Sequence, residues 1–137
     1  MVVKQVRGDI FSSPHPHIVF AVNTEGYNDA GFAGAVSGRY WPELANTGKK
    51  KLGDVLHKTV GDKTFHAVVC HSLDRGGWDN TPQIVEKALN ELDIPKDETV
   101  GVVLMGSGMI GQMQGADVRA ILSAMERSKK SVTVYSL

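Results

Sequence analysis

A glycine-rich stretch in the second half of the chain has the residue types that bind phosphate through the backbone. It runs Gly106-Ser107-Gly108-Met109-Ile110-Gly111-Gln112 and follows an apolar segment that ends at Met105. Glycine permits positive φ and close backbone approach, so successive N–H groups can surround an anion beside the first turn of a helix. Glycine-rich turns between strands and helices also occur where they only redirect the chain. The stretch therefore predicts either an anion cradle or a plain turn.

A second segment, from Asn23 to Ala35, has the same design and follows the apolar run 18–22. Two anion cradles on one edge of a sheet suit a diphosphate that carries a sugar on each side. The letters GSGMIG lie too far along the chain for the first βαβ unit of a dinucleotide-binding domain. No Lys-Ser or Lys-Thr pair follows them, so a nucleoside triphosphatase loop is not predicted either.

The elements that would position these loops follow from the spacing of apolar residues. Continuous apolar runs are typical of strands buried on both faces, and repeats of three and four residues are typical of helices. We predict strands at 2–7, 18–22, 54–60, 64–71, 99–105 and 132–137, and helices at 33–40, 80–92 and 116–125. The strand that contains Ala67 to Cys70 is expected to be central, and Gly61-Asp62-Lys63 to be the turn of a hairpin.

Strands that alternate with helices predict an α/β fold, in which a mixed sheet of about six strands is covered on both faces. Ligands of such sheets collect beyond the carboxyl ends of the strands. The functional loops are therefore expected after Val22, His71 and Met105.

Composition excludes several classes of protein. The chain has 137 residues, with 15 basic and 15 acidic side chains and a formal charge of zero. Proteins that bind duplex nucleic acid usually carry a basic excess, so a nucleic-acid partner is not predicted. No stretch approaches the roughly 20 apolar residues of a membrane span, and the single cysteine, Cys70, fits a reducing compartment. We expect one cytoplasmic domain over residues 1–137, with no membrane partner.

Taken together, several segments resemble the macrodomain family, a family of ADP-ribose-binding modules with a three-layer α/β/α fold. These segments are Gly8-Asp9-Ile10, Ala21-Val22-Asn23, 31–36 and 106–111, and their order and spacing cover almost the whole chain. The ending 132–137 is similar to that of a compact branch that finishes on a strand. That branch includes the terminal ADP-ribose protein glycohydrolase and the yeast-type ADP-ribose 1″-phosphate phosphatase.

The resemblance implies a role for each matching position. Asp9 would accept a hydrogen bond from the adenine amino group, and Ile10 would line the adenine pocket; the alternative for Asp9 is a plain turn residue. Tyr135 and Leu137 would line the adenosine side. The loop from Asn23, with Gly31, Phe32, Ala33 and Gly34, would surround the distal ribose. The diphosphate would be held by backbone N–H groups of Ser107, Gly108, Met109, Ile110, Gly111 and Gln112.

The departures from the family pattern concern catalysis. Many macrodomain hydrolases carry an aspartate just before the helix glycine, where this chain has Ala33. The glycohydrolase branch uses a lysine after the central strand and an aspartate in the second loop. Here the matching stretches read Cys70-His71-Ser72 and Met109-Ile110-Gly111. A lysine-adduct mechanism is therefore not predicted.

Three other groups remain as acid–base candidates. His71 can act as a general acid or base near neutral pH, or it can be a histidine that makes one backbone hydrogen bond. Asn23 can orient a ribose hydroxyl or a water, or simply end a strand. Asp29 can activate water, or form a turn with Asn28.

No metal or cofactor is predicted, because no cysteine or carboxylate set completes a site with His15 and His17. Cys70 lies in a buried-type run and is interpreted as packing. Our preferred function is hydrolysis of a terminal group on ADP-ribose, above all the phosphate of ADP-ribose 1″-phosphate. Hydrolysis of ADP-ribosylated protein is less favoured. The alternative is an ADP-ribose reader or sequestering protein without turnover.

Overall fold

The computed structural model describes residues 3–95 and 97–136, which form a mixed sheet of six strands flanked by helices. Most of the inner strands contain an apolar run, because a sheet covered on both faces buries both sets of alternating side chains, whereas the two edge strands are more polar and more exposed. The strands are β1 (Val3–Arg7), β2 (His17–Asn23), β3 (Val55–Val60), β4 (Lys63–His71), β5 (Val100–Val103) and β6 (Val132–Ser136).

The strand order is β1-β6-β5-β2-β4-β3, and the pairs are parallel except for the β3–β4 hairpin. The hairpin turns at Gly61, where φ is +63°, as the sequence predicts. The prediction that β4 is central was wrong. β5 and β2 are the middle strands, and β4 lies beside the edge strand β3. β4 is nevertheless buried along most of its length, which explains its apolar character.

In the described part of the chain, four α-helices cover the sheet and its carboxyl edge. They are α1 (Gly31–Arg39), α2 (Thr81–Glu91), α3 (Met109–Met113) and α4 (Val118–Arg127). Short 3₁₀ turns at Ile10–Ser12 and Pro42–Ala45 complete the set.

The two faces of the sheet carry separate cores, which makes three layers. On one face α2 and α4 pack against each other and against Val19, Val68 and Val102. On the other face α1 and the 3₁₀ turns cover Phe20 and Phe65. Because side chains alternate along a strand, neighbouring residues of β2 belong to opposite cores.

All three predicted helices have ends within two residues of the predicted ones, and the larger difference lies between β5 and α4. The glycine-rich stretch, predicted as a loop up to Gly111, contains the short helix α3. The last helix begins at Val118 rather than Ala116, because Gly115 has a φ of +75° and the side chain of Asp117 accepts a hydrogen bond from Ala120 N at 3.1 Å.

Within the described ranges, no helix has the length and apolar character needed to cross a bilayer. The same residues contain no group of three or more His, Cys, Asp or Glu side chains arranged to hold a metal ion. The two histidines considered for metal binding point to different partners. His15 contacts Tyr135, and His17 contacts His66.

Candidate ligand-binding cleft

A cleft of about 960 Å³ opens along the carboxyl edge of the sheet, where the sequence places the functional loops. It lies between the ends of β1, β5 and β6 on one side and α1 on the other. This volume is at the upper end of the range, roughly 300–1,000 Å³, that is usual for small-molecule sites. The lining residues are Gly8, Asp9, Ile10, Phe11, Gly31, Phe32, Ala35, Arg39, Val103, Leu104, Ser107, Gly108, Tyr135 and Ser136.

One end of the cleft is built on the turn after β1. The carboxylate of Asp9 caps this turn, accepting from Phe11 N at 2.9 Å and from the Ser12 hydroxyl at 3.3 Å. A carboxylate offers about four lone-pair sites, so this cap leaves Asp9 able to accept a further hydrogen bond. Ile10 is buried beneath it. Both residues line the cleft, and their predicted role towards adenine stays a prediction.

The wall beside this turn is aromatic. The rings of Phe11 and Phe32 stack with centroids 4.9 Å apart, and the guanidinium of Arg39 lies 5.0 Å from the centre of the Phe11 ring. Such a surface packs well against a planar base, and Arg39 adds a positive charge near an anionic ligand. Three lining residues were not among the predicted site residues: Phe11, Ala35 and Arg39. The sequence could have indicated Ala35 and Arg39, because their spacing from Phe32 puts all three residues on one face of α1.

Tyr135, on β6, also lines the cleft, and its hydroxyl lies 3.0 Å from His15 Nε2. Its predicted place beside an adenosine group stays a prediction. The predictions for Leu137 and for the side chain of Met109 lie outside the described part of the chain.

The glycine-rich stretch opens into the cleft at Ser107 and Gly108. Gly108 is the N-cap of α3 and provides no side-chain cap, so the N–H groups of 109–111 have no intrahelical partner and can meet an anion. Apart from its two neighbours in the chain, no atom of the described residues lies within 4 Å of where a Cβ at Gly108 would stand. The loop therefore has the open backbone that a phosphate requires.

The remaining glycines of this stretch serve packing. A Cβ at Gly111 would come within 2.7 Å of the Gly106 backbone, so the helix rests directly on the loop. The side chain of Gln112 turns back and donates to the carbonyl oxygen of Ser107 at 2.6 Å. The cleft lining does not include Ile110, Gly111 or Gln112, which instead contribute to the conformation of the glycine-rich loop.

Asn23 organises the loop after β2. Its amide oxygen accepts from Gly26 N at 2.9 Å, and its amide nitrogen donates to the Tyr27 carbonyl oxygen at 2.8 Å. Those bonds engage both ends of the amide, which favours the alternative that Asn23 shapes the loop. Its role towards a ribose stays a prediction.

Asp29 is exposed beside the start of α1. A Cβ at Gly34 would lie 2.7 Å from the Asp29 backbone, so Gly34 is the residue that lets α1 approach this loop. Ala33 packs against the adjoining core. Of the four α1 positions predicted to surround the ribose, Gly31 and Phe32 line the cleft.

Hydrogen bonds tie the three functional loops together. The carboxylate of Glu25 accepts from Leu73 N at 3.2 Å, which joins the loops after β2 and β4. Gln114 joins the segment after α3 to the same loop, donating to the Leu73 carbonyl at 2.7 Å and accepting from Trp78 Nε1 at 3.0 Å. Sequence reasoning missed Glu25 and Gln114, since hydrogen bonds between loops leave no periodic pattern.

His71 is buried at the end of β4, and its ring stacks on Trp78 with centroids 3.9 Å apart. Its Nδ1 is buried and has no hydrogen-bond partner among the described residues. Burial lowers the pKa of His71, against the opposing effects of the Ser72 backbone and the Glu25 carboxylate. Burial acts to raise the pKa of Glu25, but hydrogen bonds from Thr24 and Leu73 lower it overall.

The predicted site residues therefore form two groups. Asp9, Ile10, Gly31, Phe32, Ser107, Gly108 and Tyr135 line one cleft. Asn23, Asp29 and His71, the acid–base candidates, lie outside its lining, around the loops that follow β2 and β4. The structure thus separates the cleft from the groups predicted to do chemistry.

Solved structures with the same architecture include several macrodomains. The macrodomain of Mycobacterium tuberculosis DarG matches with a TM-score of 0.68 and 18% identity, over 99% of this chain and 98% of that one. The Oceanobacillus iheyensis macrodomain with MES bound matches with a TM-score of 0.67 and 18% identity, over 96% of this chain and 81% of that one.

An alphavirus P23pro-zbd structure matches with a TM-score of 0.67 and 20% identity, over 98% of this chain. The chain spans about a fifth of that protein, 21% of its length. No protein-family model matches the sequence, and no curated protein matches it. At these identities the likeness is one of fold.

Proposed function

We propose that this chain, which has the macrodomain fold, binds ADP-ribose or a close derivative in the cleft at the carboxyl edge of its sheet. The observation that carries the proposal is the uncapped start of α3, opened by Gly108, at the side of a cleft of about 960 Å³ with an aromatic wall. A diphosphate accepts hydrogen bonds from the free N–H groups there, and an adenosine group packs against the apolar rings.

The ligand is oriented by the two ends of the cleft. Adenine lies over Ile10 beside the Phe11 ring, and Asp9 accepts from its amino group. The diphosphate lies at Ser107 and Gly108. The distal ribose then points towards the loop that Asn23 organises, which puts its terminal group on the side of His71.

The preferred reaction is hydrolysis of a terminal group, with ADP-ribose 1″-phosphate as substrate. Because its pKa is lowered, His71 is neutral at pH 7 and can accept a proton from an attacking water. Hydrolysis of ADP-ribosylated protein is less favoured, because Ala33 replaces the aspartate of many hydrolases and His71 follows β4 where the glycohydrolase branch has a lysine. The single cysteine, Cys70, supports the cytoplasm as the place of action.

A reader without turnover is the second candidate, and one observation favours it. The amide of Asn23 is engaged inside its loop, and none of Asn23, Asp29 and His71 lines the cleft. A protein that only binds ADP-ribose needs the cleft but no activated water.

Replacing Gly108 by phenylalanine tests the binding site under both candidates. Gly108 has a φ of −73°, so the new side chain is tolerated by the backbone and projects into open space at the cradle. We expect ADP-ribose affinity to fall at least about tenfold, because the ring blocks the N–H groups.

The matched control is Gly38→Phe, which also has open space around its Cβ position but does not line the cleft. Calorimetric titration of both variants gives the answer. Unaltered affinity in Gly108→Phe would overturn the assignment of the phosphate loop.

A further inference from the structure

The ring of Tyr135 contacts the imidazole of His15 through a hydrogen bond and an edge-to-face packing. Tyr135 pairs with Val103 on the neighbouring strand and lines the cleft. Its hydroxyl lies 3.0 Å from His15 Nε2, and the two rings meet edge to face with centroids 5.6 Å apart. A cleft residue therefore has its orientation set by a side chain that does not line the cleft.

The second nitrogen of His15 determines the direction of this hydrogen bond. His15 Nδ1 lies 3.2 Å from the carbonyl oxygen of Thr99, which can only accept. Nδ1 therefore carries a hydrogen, and in the neutral ring Nε2 keeps its lone pair. The Tyr135 hydroxyl must then donate to Nε2. The result is two hydrogen bonds in series: Tyr135 donates to His15, and His15 donates to the carbonyl oxygen of Thr99, the residue before β5.

The backbone around His15 leaves space for its imidazole ring and fixes its position. A Cβ at Gly101 would stand 3.2–3.3 Å from the His15 side chain, so the ring lies where β5 has no side chain. Lys63 Nζ donates to the carbonyl oxygens of Ser13 and His15 at 2.8 and 3.0 Å, which anchors this segment to β4. His15 is thus fixed independently of Tyr135 and can serve as its support.

We propose that His15 is a positioning residue that fixes the Tyr135 ring as the adenosine-side wall of the cleft, and so strengthens binding of adenosine diphosphate ligands. This inference rests on the proposed function, because it assigns ADP-ribose as the ligand. Without His15 the ring gains rotational freedom, and ligand binding must then include the cost of ordering it.

The affinity test compares four variants by titration with ADP-ribose. In His15→Ala and in Tyr135→Phe we expect affinity to fall about fivefold, the effect of losing one ordinary hydrogen bond. The double variant should be no weaker than either single one, because both remove the same bond. His15→Gln should restore most of the affinity, since its amide can donate to Thr99 and accept from Tyr135.

The matched control is His17→Ala. His17 is also half-buried and bonded to another side chain, His66, but it lies on the opposite face of the sheet. Its removal should leave ADP-ribose affinity unchanged. A loss of affinity equal to that of His15→Ala, or full additivity in the double variant, would overturn the proposal.

A measurement without ligand separates this inference from the proposed function. Nitrogen-15 NMR of the histidine rings should show His15 with the hydrogen on Nδ1 and an acceptor-type Nε2 whose shift changes in Tyr135→Phe. That result would support the His15–Tyr135 contact even if ADP-ribose failed to bind. A hydrogen on Nε2, or no response to Tyr135→Phe, would overturn the contact whatever the ligand proves to be.

Discussion

His71 combines two properties of an acid–base group. Its Nδ1 is buried without a partner among the described residues, and its pKa is lowered by burial. Desolvated, unpartnered histidines are candidates for functional groups because burial keeps them neutral at physiological pH. Asp29 is exposed, and Asn23 is engaged within its loop. We therefore rank His71 first among the three catalytic candidates.

Alanine substitutions separate the enzyme from the reader. If the chain hydrolyses ADP-ribose 1″-phosphate, His71→Ala should lower kcat by about a hundredfold or more while ADP-ribose affinity changes little. Asp29→Ala and Asn23→Ala should also lower turnover, the latter partly by loosening its loop. Phosphate release at saturating substrate is the measurement, and the exposed His57→Ala is the control. Parental rates in all three variants would show that the residue assignment is wrong.

The pH dependence of turnover gives a second test at His71. Because burial lowers its pKa, the neutral base persists below the ordinary histidine value of 6.5, and kcat/KM should fall only in more acidic solution. The Glu25 carboxylate opposes this lowering. In Glu25→Gln the fall of kcat/KM on the acidic side of the pH profile should therefore occur at still lower pH. A limb that moves to higher pH would contradict the pairing of Glu25 with His71.

Among the elements, α1 shows that a glycine of the family pattern also has a packing role. Gly34 was predicted to contact the ligand from its place in the family pattern, and that role stays a prediction. In the structure Gly34 lies against the backbone of Asp29, so its small size brings α1 against the loop. The strands were predictable because apolar runs report burial directly. The short helix α3 was not, because it has five residues, contains Gly111 and directly follows Gly108, and because it depends on close contact with the Gly106 backbone.

Two alanine substitutions on α1 test this reading. Gly34→Ala should destabilise the protein by about 2 kcal/mol, because the new Cβ lies 2.7 Å from backbone atoms of Asp29. Gly38→Ala on the same helix has open space and should stabilise it by about 0.5–1 kcal/mol. Urea denaturation measures both. Equal stability of the two variants would show that α1 does not pack closely on this loop.

At the scale of the whole molecule, stability should depend on a row of histidines away from the cleft. His66 Nε2 lies 2.9 Å from His17 Nδ1, and His66 Nδ1 lies 2.7 Å from His57 Nδ1. Glu98 faces the outer nitrogen of His17 at 3.9 Å. Burial and the two neighbouring histidines lower the pKa of His66 from 6.5 to about 4.

The sign of the effect follows from proton linkage. Between pH 6.5 and about 4 the unfolded chain binds a proton at His66 that the folded chain does not, so stability falls as the solution is acidified. We expect His66 to account for a loss of about 2–3 kcal/mol over this range. Urea denaturation at several pH values measures it, and His66→Gln should remove this part of the dependence. An unchanged slope in that variant would contradict the lowered pKa.

The fold as a whole follows from the sequence more completely than the site does. Alternating strands and helices with buried apolar runs predict a mixed, layered sheet and the edge where ligands collect. The aromatic wall around Phe11, the ties made by Glu25 and the support of Tyr135 by His15 depend on contacts between distant parts of the chain. Such contacts are set by packing, which no local pattern encodes.

The central claim is that the cleft is a site for ADP-ribose, and calorimetric titration tests it most directly. ADP-ribose should bind with a dissociation constant of about 10 µM or lower. AMP should bind more weakly because it lacks the second phosphate and the distal ribose, and NAD because its nicotinamide occupies the distal end. Equal affinity for all three ligands, or no binding of ADP-ribose, would contradict the account.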